Sequence, residues 1–238
     1  VAPPAEAQPR GEWWLGFQDP ALADLVQRAG SANTSIQQAA GRLAEARSLL
    51  RSADAARSVK VGASAGVTRQ AGAATTGSAT PATLGTAGLN VSYELDLFGK
   101  LSQTSDAARL DADARAALLQ STRLMVQADV AQTYLQLRAA QTELQLVNES
   151  LAAYQDTLRL TQRRQQAGDV AELDVARVQT EVAATESKAL ALQRQQALLA
   201  NALAVLVGEV PGSFALPAAA GDAALPIIPP GVPGTVLA

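Results

Sequence analysis

Two short stretches alternate apolar and polar residues inside a chain whose remaining pattern is helical. From Val59 to Gln70, one face carries Val59, Val61, Ala63, Ala65 and Val67 and the other Lys60, Gly62, Ser64, Gly66, Thr68 and Gln70. From Leu89 to Leu97, Leu89, Val91, Tyr93, Leu95 and Leu97 oppose Asn90, Ser92, Glu94 and Asp96. A period of two predicts strands with one greasy and one wet face. Such strands suit a half-buried soluble sheet or a transmembrane β-barrel, and they are close to the roughly 9 to 11 residues that a tilted spanning strand needs. Between them, the Gly/Ala/Ser/Thr stretch Ala71 to Thr83 has no periodicity and is predicted to be a surface loop.

The rest reads as helix. Asp19 followed by Pro20 opens a short helix to about Ala29 with Gly30 as its stop, and Asn33 caps a second helix from Thr34 to about Arg57. Leu101 to Ala167 holds neither proline nor glycine, which predicts one continuous helix about 100 Å long. Along it Val130, Leu137, Leu144, Leu151 and Leu158 recur every seven residues, with Val126, Thr133, Ala140, Val147 and Tyr154 as a companion row. Beyond a break at Gly168, a helix from about Val170 to Val207 spaces Val175, Val178, Val182, Thr185, Ala189, Leu192, Gln196, Leu199, Leu203 and Leu206 alternately by three and four. Sustained heptads predict coiled-coil packing. A second seam, Ala176, Ala183, Leu190, Ala197 and Ala204, predicts neighbours on both sides of that helix, as in a closed ring of helices.

At the turn, Gly168 suits the left-handed position that ends a helix, Asp169 is placed to cap the next, and Glu172 follows as in a capping box. The two shorter helices laid end to end match the long one, which predicts a rod with the strand pair at one end and the Gly168 turn at the other. The organisation expected is an N-terminal arm and short helix at 1–32, a helix leading to the strands at 33–58, two strands and their loop at 59–97, the helical hairpin at 98–208 and a Pro/Gly-rich connector at 209–238. Trp13 and Trp14 are expected to anchor the arm. The fold class is mainly α with a β-hairpin.

Composition narrows the chemistry. Of 238 residues, 48% are hydrophobic, largely alanine and leucine, while 17% are charged and 3% aromatic, which suits close-packed helices better than a large globular core. The net charge of −3 leaves no basic footprint for nucleic acid. Cysteine and histidine are absent, which excludes disulfides, thiolate zinc sites, imidazole ligation and Ser-His or Cys-His catalysis. No run of about 18 apolar residues forms a transmembrane helix, so entry into a membrane has to use the strands. The start at Val1 rather than methionine predicts a processed or trimmed N-terminus.

Several motifs resemble one family. Tyr93-Glu94-Leu95-Asp96-Leu97-Phe98-Gly99-Lys100 resembles the strand-to-helix corner of the outer-membrane factors, the TolC-like and OprM-like exit ducts of tripartite efflux and type I secretion systems. Ala167-Gly168-Asp169-Val170-Ala171-Glu172-Leu173-Asp174-Val175 resembles their periplasmic tip, with Arg164 at the tip arginine position. Trp14-Leu15-Gly16-Phe17-Gln18-Asp19-Pro20, with Leu22 and Leu25, is similar to their N-terminal segment. Members carry two tandem repeats and assemble as trimers with a twelve-stranded barrel over a helical tunnel; this chain matches the first repeat. Residues that constrict the tunnel lie largely in the second, so no gate residue is carried over. Many OprM-like members are lipoproteins that start at a lipidated cysteine, a residue this chain lacks.

The resemblance implies a passive outer-membrane export channel with a periplasmic extension in a Gram-negative envelope, with no catalysis, cofactor or metal. Its implied partners are a periplasmic adaptor, an inner-membrane pump acting indirectly, outer-membrane lipid and further copies of itself, as a trimer if two repeats are present. Adaptor docking falls to Arg163, Arg164, Gly168, Asp169, Leu173 and Asp174 at the tip, and the barrel-to-helix corner to Tyr93, Asp96, Phe98 and Gly99. Read from the residues alone, Tyr93 and Phe98 fit either interface aromatics or packing. Glu94 and Asp96 are expected as solvated charges facing the lumen, and Arg163, Arg164 and Asp174 also fit ordinary exposed polar residues. The alternatives of other classes are a periplasmic adaptor, which also uses a long helical hairpin, and a structural coiled-coil stalk.

Overall fold

The computed structural model describes residues 11–70, 82–214 and 216. The arm up to residue 10, the loop at 71–81, residue 215 and the connector beyond 216 lie outside the described residues. After a 3-10 turn at Trp13–Phe17 come helices α1 (Pro20–Ala32) and α2 (Thr34–Ala56), strands β1 (Lys60–Gln70) and β2 (Ala82–Ser92), and helices α3 (Lys100–Gln166) and α4 (Glu172–Leu206). α3 is a single helix of 67 residues, as its lack of proline and glycine predicts. None of the described helices is long and apolar enough to cross a membrane. The chain divides into two compact units, one made of 39–119 and the other of 1–38 with 120–238.

Within the 39–119 unit, α2 lies against the first part of α3. Leu43 and Ala46 on α2 and Ser105, Ala112 and Leu119 on α3 are buried, and the Ser105 hydroxyl donates to the Asp54 carboxylate. The heptad row of α3 thus starts at Ser105, earlier than the apolar pattern shows, because serine and alanine hold its first positions.

β1 and β2 pair antiparallel over eleven residues each. Directly opposed residues share a face. Val61 pairs with Val91, Ala63 with Leu89 and Ala65 with Ala87 on one side; Gly62 pairs with Asn90, Ser64 with Gly88 and Gly66 with Thr86 on the other. The greasy sides of the two strands therefore coincide, and Leu84, paired with Thr68, is the exception on the wet side. Nothing among the described residues covers the greasy side: Val61, Val67, Leu89 and Val91 are each about 70% exposed or more.

The second strand corrects the expectation of Leu89 to Leu97. Its true start, Ala82, is set by eleven-residue pairing with β1, which Thr83, Gly85, Thr86 and Gly88 obscure in the hydrophobic pattern. Tyr93 to Leu97 alternates but does not pair, because the Asp96 carboxylate is drawn to the start of α3.

In the other unit, α3 and α4 pack antiparallel. Val147, Ala189 and Leu192 form a small core with Leu144, Gln196 Nε2 donates to the Ala140 carbonyl at 2.9 Å, and Lys188 pairs with Glu143 at 2.9 Å. The first seam of α4 is buried or half-buried throughout, whereas Ala176, Ala183, Leu190 and Ala197 of the second seam are exposed and only Ala204 is buried. α1 runs through Gly30 to Ala32 instead of stopping, because Asn33 rather than Gly30 supplies the helix boundary.

Candidate functional site

At the corner, Asp96 grips the start of α3. Its Oδ2 accepts from the Ser102 N–H at 2.8 Å and its Oδ1 from the Leu101 N–H at 3.1 Å. These bonds, Ser102 first, hold the carboxyl below its ordinary value, helped by Arg57. A carboxylate over orphan N–H groups at the positive end of a helix dipole is a cap, which corrects the expectation that Asp96 faces a lumen beside Glu94. Gly99 takes φ +73° and its carbonyl accepts from Gln103 at 2.9 Å, so the chain turns from strand direction into helix there. Phe98 is 95% exposed, with Tyr93, Leu95 and Leu97 exposed beside it.

The turn at Gly168 is built as expected on the side of α3. Gly168 has φ +83°, its N–H donates to the Gln165 carbonyl and the Asp169 N–H to the Arg164 carbonyl, the two bonds of a Schellman ending. On the side of α4 the expectation is corrected. The cap residue is Ala171, and its N–H donates to Asp174 Oδ2 at 3.3 Å, so Asp174 does the work assigned to Asp169 and Glu172. The reason is geometric: the Schellman bonds fix Asp169 against α3, and α4 starts only at Glu172. Arg163 and Arg164 are exposed in the last turn of α3, where their charge suits the negative end of the dipole. Asp169 and Leu173 are also exposed, and Asp174 is half-buried. The structure thus brings all six tip residues to one turn, with Arg163, Arg164 and Leu173 free to contact something else.

A third cluster carries little sequence signal. Asp19 caps α1 through the Ala21 and Leu22 N–H groups and accepts from the hydroxyl of fully buried Tyr134 at 2.6 Å. Asn33 caps α2 through Ser35 and Ile36 and donates to the carbonyl of Leu206, closing the end of α4. Arg28 pairs with Asp24 and Glu209, and its guanidinium lies 5.8 Å from the Phe214 ring centre. Tyr134, Leu206, Glu209 and Phe214 are each over 100 residues from their partners in sequence, so only the caps are legible in the sequence. Trp13 packs edge-on against Trp14 and Phe17, and its buried indole N–H has no acceptor among the described residues.

An outer membrane efflux protein family model matches residues 25–209. The chain belongs to that family. It is 32% identical to the pyoverdine export outer membrane protein OpmQ of Pseudomonas putida over 100% of this chain and 53% of the relative. It is also 32% identical to the toluene efflux pump outer membrane protein TtgF of Pseudomonas putida, over 82% of this chain and 42% of the relative. Among solved structures, the outer-membrane channel OprN superposes with a TM-score of 0.81 at 28% identity, over 100% of this chain and 54% of that one. VceC from Vibrio cholerae superposes with a TM-score of 0.75 at 30% identity, over 89% and 53%. The chain spans about half the length of the relatives it matches. That membership sets aside the readings as a periplasmic adaptor or a free coiled-coil stalk.

Proposed function

We propose that this chain furnishes one repeat of a passive outer-membrane export duct, placing β1 and β2 in a lipid-embedded barrel and presenting the Gly168 turn to a periplasmic adaptor. The carrying observation is the register, which gathers Val61, Ala63, Ala65, Ala87, Leu89 and Val91 on one uncovered face and Gly, Ser, Thr and Asn on the other. Lipid suits the first face and a water-filled path the second. Two strands leave open edges, and unpaired backbone groups in lipid cost several kcal/mol each. Closure therefore needs further strands, from a second repeat or from other copies; with two repeats, four strands per chain in a trimer give the family's twelve. Export energy comes from an inner-membrane pump acting through the adaptor. A pyoverdine exporter and a toluene pump component are equally similar to this chain, so likeness selects no cargo.

Docking rests on the exposed Arg163, Arg164 and Leu173 around a turn whose shape depends on Gly168. Arg164→Glu reverses a charge and leaves the Schellman backbone bond in place. It is expected to abolish adaptor pull-down and adaptor-dependent export while membrane oligomers and bilayer conductance persist. Adaptor capture at the wild-type level would remove the docking assignment.

A further inference from the structure

Resting on the barrel reading above, we infer that Arg69 is a lipid-phosphate anchor at the far end of the greasy face of the hairpin. The register puts Arg69, opposite Thr83, on the side of Val61, Ala63, Ala65 and Val67. It is exposed, and no ion pair among the described residues engages it. The sequence supplies no counter-charge nearby: from Ala55 to Tyr93 there is no aspartate or glutamate. The two strands hold only two charged residues, Lys60 and Arg69, both cationic and at opposite ends of β1. Lys60 lies on the wet side with Gly62 and Ser64, and Arg69 on the greasy side.

The spacing fits a bilayer. Nine residues from Lys60 to Arg69 rise about 30 Å along a strand. A tilt of about 40° reduces this to roughly 23 Å, near the ~25 Å apolar band of outer-membrane barrels. Arg69 then sits where hydrocarbon gives way to headgroups, beyond Val67, while Tyr93 and exposed Phe98 lie past the opposite end. A guanidinium at that level, without an acid from its own hairpin, is matched by the phosphate oxygens of the lipid surface, which it can grip in the two-pronged geometry lysine lacks. Lys60 has the same charge on the wet face, so it is the built-in control.

The test compares the assembled wild-type protein with Arg69→Gln, Arg69→Lys and Lys60→Gln in bilayers containing phosphorylated lipid A or the same lipid with its phosphates removed. The readouts are retained lipid by native mass spectrometry and the melting temperature of the oligomer. The wild type is expected to retain the phosphorylated lipid about fivefold better, the worth of one cation at an anionic surface. Arg69→Gln should lose that preference, Arg69→Lys should keep part of it, and Lys60→Gln should keep all of it. A preference unchanged in Arg69→Gln overturns the inference, as does equal destabilisation of that variant in both lipids, which means that an acidic side chain on a neighbouring strand holds Arg69. If Arg69→Gln does not assemble, Arg69→Lys decides by the same comparison. Failure of the wild type to insert or conduct in either bilayer strikes the barrel reading instead.

Discussion

The Tyr134 hydroxyl is fully buried and donates to the carboxylate that caps α1, so one hydrogen bond joins α3 to the start of the chain's first helix. Burial, and then the bond to Asp19, push the phenol up to about 12 from its ordinary 10. The neutral form is the one the folded chain holds. Above pH 10 the unfolded chain releases this proton while the folded chain keeps it, so the contribution is complete below pH 10 and is lost as pH rises towards about 12. Tyr134→Phe removes the ionisation from both states. The stability difference between wild type and variant, about 1 kcal/mol at neutral pH, is therefore expected to shrink between those pH values in urea denaturation followed by circular dichroism. Parallel curves would mean that the hydroxyl ionises alike in both states.

Among the elements, two helix endings use the same backbone motif for different reasons. After α3, Gly168 takes φ +83° in open space; after α4, Gly208 takes φ +74°, and a Cβ added there would lie 2.7 Å from the Ala32 carbonyl oxygen. Gly168→Ala meets only left-handed strain, about 1 to 2 kcal/mol. Gly208→Ala adds a backbone collision and is expected to cost about 3 kcal/mol, with the melting temperature as the readout. Equal losses would show that Ala32 yields freely. The Gly168 ending is legible in the sequence because a glycine breaks a long uninterrupted heptad, and Asn33 as the cap of α2 is legible from its place before Thr34. The contact of Gly208 with Ala32 and the bond from Asn33 to Leu206 are not, since both depend on which helix ends meet. The start of β2 is hidden for another reason: Thr, Gly and Ala alternate without contrast, and pairing to β1 decides the boundary. Asp96 misleads a reading by pattern because a carboxylate can complete an alternating stretch and also cap a helix; the orphan N–H groups of Leu101 and Ser102 settle the matter.

At the scale of the whole molecule, the apolar surfaces left bare among the described residues include the Val61–Val91 side of the hairpin and the Ala176, Ala183, Leu190 and Ala197 seam of α4. The seam suits another helix, whose backbone can approach small side chains closely, and the strand face suits lipid. Both are readable from periodicity alone. What sequence withholds is the company they keep, because nothing among the described residues covers either surface. The function turns on the lipid contact of the hairpin, and the absence of cysteine from these 238 residues lets single labels be placed cleanly within them. The direct measurement is nitroxide accessibility, by power saturation, at single cysteines replacing Val61, Ala65 and Leu89 on one face and Ser64, Thr86 and Asn90 on the other, in the membrane-assembled protein. The first three labels are expected to favour oxygen, which concentrates in hydrocarbon, and the last three the water-soluble nickel chelate. Equal access of the chelate to both faces would contradict a barrel and leave the hairpin in water.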